Sequence, residues 1–139
     1  MTTSSSDSRP AQAGRAVDAG SRHDRGAEQD VRLTVMAALP ALTNLQHAAL
    51  EVYGRLEPDR ALVWTVEELG ELAQAVRRNE GRARLEEELG QLTAWMLCLA
   101  NILDLDLAAA VESAIQEEIE RQLAKYGKLK PYSCGSVSR

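Results

Sequence analysis

The chain reads as an all-α protein, a four-helix bundle, and three observations lead there. Only 4% of its residues are aromatic and Phe is absent, whereas Leu and Ala crowd the second half, a composition that suits helices better than sheets. Apolar residues recur at three- and four-residue steps over long stretches, which places them on one helical face. Gly, Pro, Asn and Asp punctuate those stretches, so that the helices are joined by short turns as in a bundle. A chain of 139 residues fits one domain and can bury a core without disulfides.

Residues 1–30 are rich in Ser, Thr, Ala, Gly, Asp and Arg and nearly lack large apolar side chains. Such a segment buries too little surface to offset the entropy of ordering, and it is expected to be a disordered tail. Its acids, Asp7, Asp18, Asp24, Glu28 and Asp30, argue against a transit peptide. The helical domain is expected over 31–126. After Pro40, the residues Leu42, Leu45, Leu50, Val52 and Tyr53 predict a first helix ending near Gly54 to Pro58.

Pro58 and Asp59 then open a second helix, in which Leu62, Val63, Val66, Leu69, Leu72, Ala73 and Val76 recur up to Arg78, and Asn79-Glu80-Gly81 supplies a turn. A third, long and largely buried helix is expected from about Ala83 to Leu103, with Leu85, Leu89, Leu92, Met96, Leu99 and Leu103 as its stripe. Asp106 is placed to cap a fourth helix from Leu107 to about Lys125, and Gly127 to stop it. Residues 127–139 are expected to form a flexible C-terminal tail.

The net charge of −5, from 21 acidic and 16 basic residues, lacks the cationic footprint of a nucleic-acid binder. Cys98 lies in an apolar run and Cys134 in a polar one, without zinc-ligand spacing or the density of a disulfide scaffold; Cys98 reads as a buried structural thiol. With neither a signal-like start nor a run of ~18 apolar residues, no membrane partner is expected and the protein reads as cytoplasmic. His47 has no neighbouring ligand-type residue, and neither a Gly-rich phosphate loop nor a Gly-x-Ser-x-Gly elbow is present.

The chemistry-bearing pattern lies on the second and third helices. Glu68 and Glu71 stand one turn apart on one face, and Glu88 and Gln91 repeat that step. In an antiparallel hairpin, residues at one height have position numbers adding to one constant, since both helices rise ~1.5 Å per residue. Glu68 with Gln91, Glu71 with Glu88, and Trp64 with Trp95 share that total, and its midpoint falls at the Asn79-Glu80 turn. Three carboxylates and a carboxamide would therefore meet, with two indoles one turn away. Like charges so close call for a compensating cation, and Mg²⁺ suits oxygen ligands and substrate phosphates. The alternative is a pair of solvated acidic faces with Arg77, Arg78, Arg82 and Arg84 as intrahelical or turn partners.

The stretch Trp64 to Arg78, WTVEELGELAQAVRR, resembles the first signature of MazG-type nucleoside triphosphate pyrophosphohydrolases, a Glu-Glu-x-x-Glu helix. Glu87 to Leu107, EELGQLTAWMLCLANILDLDL, resembles the second, whose core is Glu-x-x-Asp, and the likeness extends over most of 41–126. The resemblance implies an all-α fold assembled as a homodimer or homotetramer, which is also expected because the apolar faces of four short helices seldom all find cover within one chain.

It further implies Mg²⁺-dependent cleavage of nucleoside or deoxynucleoside triphosphates to monophosphate and pyrophosphate, with Mn²⁺ as a substitute. By the same resemblance Glu68, Glu71 and Glu88 are catalytic metal ligands with Gln91 beside them. Arg121 and Lys125 contact phosphates, and Trp64, Trp95 or Tyr126 stack on the base. Gln91 stands where the family's Asp is expected and Gln122 where an Asn is common. Losing one carboxylate weakens a cation site, so the runner-up reading is a weakened or inactive relative that binds nucleotide or serves as a helical assembly module.

Overall fold

The computed structural model describes residues 17–133, and they form four helices: α1 (Val17–Tyr53), α2 (Pro58–Arg77), α3 (Arg82–Ile102) and α4 (Leu107–Tyr126). No strand occurs among the described residues, and the all-α class expected from the sequence is what the structure shows. No single helix among them is long and apolar enough to cross a membrane.

The helix ends follow from local chemistry. Pro58 sits in the first turn of α2, where its missing N–H costs nothing. The Asp106 carboxylate caps α4 by accepting from the Ala109 N–H at 3.0 Å. Gly127 ends α4 at a left-handed φ of 70°, its N–H bonded to the Leu123 carbonyl at 2.8 Å. Asn79, with φ 52°, takes the left-handed position in the turn between α2 and α3, a conformation Asn tolerates better than most residues.

The first helix departs from expectation. It begins at Val17 and runs through Pro40, so residues 17–30 of the expected tail are helical; residues 1–16 lie outside the described region. Glu28 and Arg32 pair one turn apart at 2.9 Å, and Arg32 also donates to the Gln116 side chain of α4. The first pair steadies Arg32 within α1 and the second ties the polar half of α1 to α4. At the other end, residues 127–133 are irregular yet folded back: the Lys130 N–H donates to the Gln122 side chain at 2.7 Å and Arg121 to the Tyr132 hydroxyl at 2.6 Å. Residues 134–139, Cys134 among them, lie outside the described region.

Packing is most extensive between α2 and α3, which form the expected hairpin, and α1 lies against α3 and α4. Between α3 and α4 the chain turns by 109°. Ala49, Leu97 and Cys98 form the core, flanked by Leu42, Trp95 and Leu107. Cys98 is buried as expected, and that burial pushes its thiol pKa up.

Other apolar positions are left open. Leu62, Val63, Val66, Leu69 and Val76 on α2 and Leu89, Met96 and Leu103 on α3 are all exposed. The sequence predicts a largely buried α3; α2 instead has α3 as its main neighbour, and half of the α3 stripe and all of the α2 stripe but Leu72 are exposed in one chain.

Candidate functional site

The aromatic end of the hairpin closes as the register predicts. Trp64 and Trp95 meet with ring centroids 4.8 Å apart and planes tilted by 52°, within the range of favourable aromatic pairs. Tyr53 of α1 packs on Trp95 at 5.8 Å, and the Arg60 guanidinium stands 4.5 Å from the Trp64 ring centre. Tyr53 was read only as an apolar residue of the first helix, and Arg60 was not singled out. The Tyr53 contact depends on how α1 packs against α3, which periodicity does not encode, whereas Arg60 stands one turn before Trp64 on α2, a spacing that was the available signal.

Nearer the turn, Glu88 projects from α3 into the hairpin and is fully buried, and neither carboxylate oxygen has a hydrogen-bond partner. A buried carboxylate without hydrogen bonds is costly, by several kcal/mol as an order of magnitude, and Glu88 is a position that calls for a cation beside it. Half-buried Glu68 faces it. Burial pushes the Glu68 carboxyl up from its ordinary value, and the charges of Glu71 and Glu88 push it further, with the Trp95 indole pulling it back. Glu71 and Gln91 are exposed on their helices.

The sequence reading missed what stands among these acids. Arg84, expected only as a turn or intrahelical partner, reaches across the hairpin to Glu71 at 3.0 Å, pairs with Glu87 at 3.0 Å and Glu80 at 4.0 Å, and touches a Glu88 oxygen. Its i,i+4 spacing from Glu88 was the available signal. Among the described residues no three His, Cys, Asp or Glu side chains lie close enough to hold a metal as they stand; the carboxylates are arranged about the guanidinium. Their chemistry nonetheless fits a hard divalent cation, because Glu88 offers two buried oxygens without a hydrogen bond beside Glu68.

The proposed phosphate and base contacts from α4 lie apart from this cluster in a single chain, since α4 packs on α1. Arg121 is held by both oxygens of Glu118 at 2.7 Å and by Tyr132, while Lys125 and Lys130 stand over the Tyr126 ring at 5.1 and 4.9 Å. Gln122 is buried and bonds Glu118 and the Lys130 backbone. Tail and helix together border a cavity of about 210 Å³. A second cavity, about 320 Å³, lies between α1 and the α3–α4 turn. Its wall residues Gln46, Asn101 and Arg55 already bond one another or the backbone.

Fold and site together define an all-α protein with an acidic helix hairpin, at whose centre lies a buried carboxylate without a hydrogen bond. The family model of the MazG nucleotide pyrophosphohydrolase domain matches residues 56–127, more than half of the chain, and the chain belongs to that family. The matched region takes in α2, α3 and α4 and leaves α1 outside. Neither any curated protein nor any solved structure matches the chain.

Proposed function

We propose that the chain is a Mg²⁺-dependent nucleoside triphosphate pyrophosphohydrolase, which cleaves ribo- or deoxyribonucleoside triphosphates to the monophosphate and pyrophosphate in the cytoplasm. The observation that carries this reading is Glu88, fully buried with no hydrogen bond to either oxygen and only the Arg84 guanidinium beside it as a cation, inside the matched domain. Glu68, Glu71 and Glu88 would hold the ion, with the Gln91 side-chain oxygen as a neutral fourth donor and Mn²⁺ as a substitute. Bound there, the ion would supply charge neutralisation of the triphosphate and a more acidic water.

The chain's own residues do the remaining work. The Glu68 carboxyl is raised by burial and by its acidic neighbours, a repulsion that a bound cation would relieve. The Trp64–Trp95 pair walls one end of the hairpin and offers an apolar edge for a base. Arg121 and Lys125 would reach the phosphates only from another copy, or after Arg121 leaves Glu118 and Tyr132. A homodimer or homotetramer that covers the open faces of α2 and α3 is therefore part of the proposal.

Incubating the purified chain with a panel of triphosphates and Mg²⁺, Mn²⁺ or chelator tests it, with products separated by anion-exchange chromatography. Monophosphate and pyrophosphate are expected in equal amounts with metal; diphosphate and orthophosphate would exclude cleavage at the α–β bond. A second reading, a nucleotide binder with little turnover, is favoured by exposed Gln91 in place of a carboxylate. It predicts nucleotide binding at equilibrium without either product.

A further inference from the structure

One guanidinium answers four carboxylates in the hairpin. Arg84 is in the first turn of α3, and its side chain is 42% exposed while touching Glu88, which is 0% exposed. It is the cation beside the buried charge, yet it leaves both Glu88 oxygens without a hydrogen bond. Its other partners graduate toward solvent, from Glu80 at 33% to Glu87 at 54% exposed. An arginine so placed can withdraw from Glu88 and Glu71 while staying paired with Glu80 and Glu87.

We propose that Arg84 is a resident stand-in for the divalent cation: it neutralises the hairpin carboxylates when no metal is bound and must swing outward for metal to enter. The inference rests on the metal reading above and concerns a residue outside that ligand set. Two cations cannot occupy the same pair of carboxylates, because their mutual repulsion in a partly buried site outweighs what either gains. Metal affinity is then reduced by the fraction of molecules in which Arg84 still holds the site. By reciprocity, metal loosens Arg84 as much as Arg84 weakens metal. Arg84 is accordingly a tuning residue, setting the ion concentration at which the site fills, and its loss leaves the metal-free chain with an uncompensated buried charge.

Titrating the full chain with Mn²⁺, with free ion followed by electron paramagnetic resonance, tests this on wild type, Arg84→Ala and Arg84→Lys. Arg84→Ala is expected to bind Mn²⁺ about tenfold more tightly, with Arg84→Lys in between. Melting followed by circular dichroism adds a readout independent of activity. Metal-free Arg84→Ala should melt below wild type and gain more than wild type from Mn²⁺, while Arg84→Ala/Glu88→Gln should recover the melting temperature and lose the response to the ion. Wild type that binds Mn²⁺ with an affinity equal to or above that of Arg84→Ala overturns the stand-in role and leaves the metal reading intact. If no variant binds Mn²⁺ at millimolar concentration, the metal reading falls and the stand-in role with it.

Discussion

The Glu118 carboxyl is held down to about 2, against an ordinary 4.5, first by hydrogen bonds from Arg121 and then by the Gln122 amide. A carboxylate whose folded value lies below its unfolded one contributes stability that is complete above 4.5 and is lost as pH falls toward about 2. Glu118→Gln should therefore be less stable than the parent at neutral pH, and the two urea unfolding curves should converge as pH approaches that lower limit. A deficit independent of pH would show that the effect is steric. Contacts at this scale were unevenly legible. Glu68, Glu71 and Glu88 announce themselves by one-turn spacing, and Asp106 and Gly127 by capping chemistry. Arg84 was read as an ordinary turn cation, because its pairing with Glu71 exists only once the hairpin is closed.

The helices are joined by a polar lock as well as by apolar contact. The Gln46 side chain of α1 donates to the Asn101 side chain at 3.2 Å and to the Leu105 carbonyl at 2.7 Å, and it accepts from the Leu107 N–H at 3.0 Å. Asn101 returns a bond to the Gln46 carbonyl at 2.9 Å. One buried amide thus fixes the turn between α3 and α4 and satisfies an N-terminal donor of α4. Gln46→Ala leaves these groups unpaired and should cost about 2–3 kcal/mol in chemical denaturation; a loss below about 0.5 kcal/mol would mean that water replaces the amide.

The α2–α3 hairpin and its Trp64–Trp95 register followed from the periodicity because both helices are regular and the turn is short. The extent of α1 did not, since its first half has no apolar stripe and is held by Glu28, Arg32 and Gln116, a tie made between distant parts of the chain.

Across the whole molecule, the exposed leucines and valines of α2 and α3 are the main unfinished business of the fold. Burying them against a second copy would satisfy both helices. Light scattering on the eluting protein should give a multiple of 15.2 kDa. Val66→Asp with Leu69→Glu, both at exposed positions, should reduce the assembly to single chains, whereas a wild type of 15.2 kDa would contradict assembly through this face. The fold class was legible because composition and period agree over the entire second half. Which apolar residues stay open was not, because a period marks a face without saying which molecule covers it.

The central claim, that the hairpin carboxylates form a catalytic cation site, is tested most directly by the rate of metal-dependent pyrophosphate release from wild type, Glu68→Gln and Gln91→Asp. Glu68→Gln is expected to lose on the order of 100-fold with the fold intact by circular dichroism, and Gln91→Asp to run at an equal or higher rate; undiminished release by Glu68→Gln would rule out the cation site.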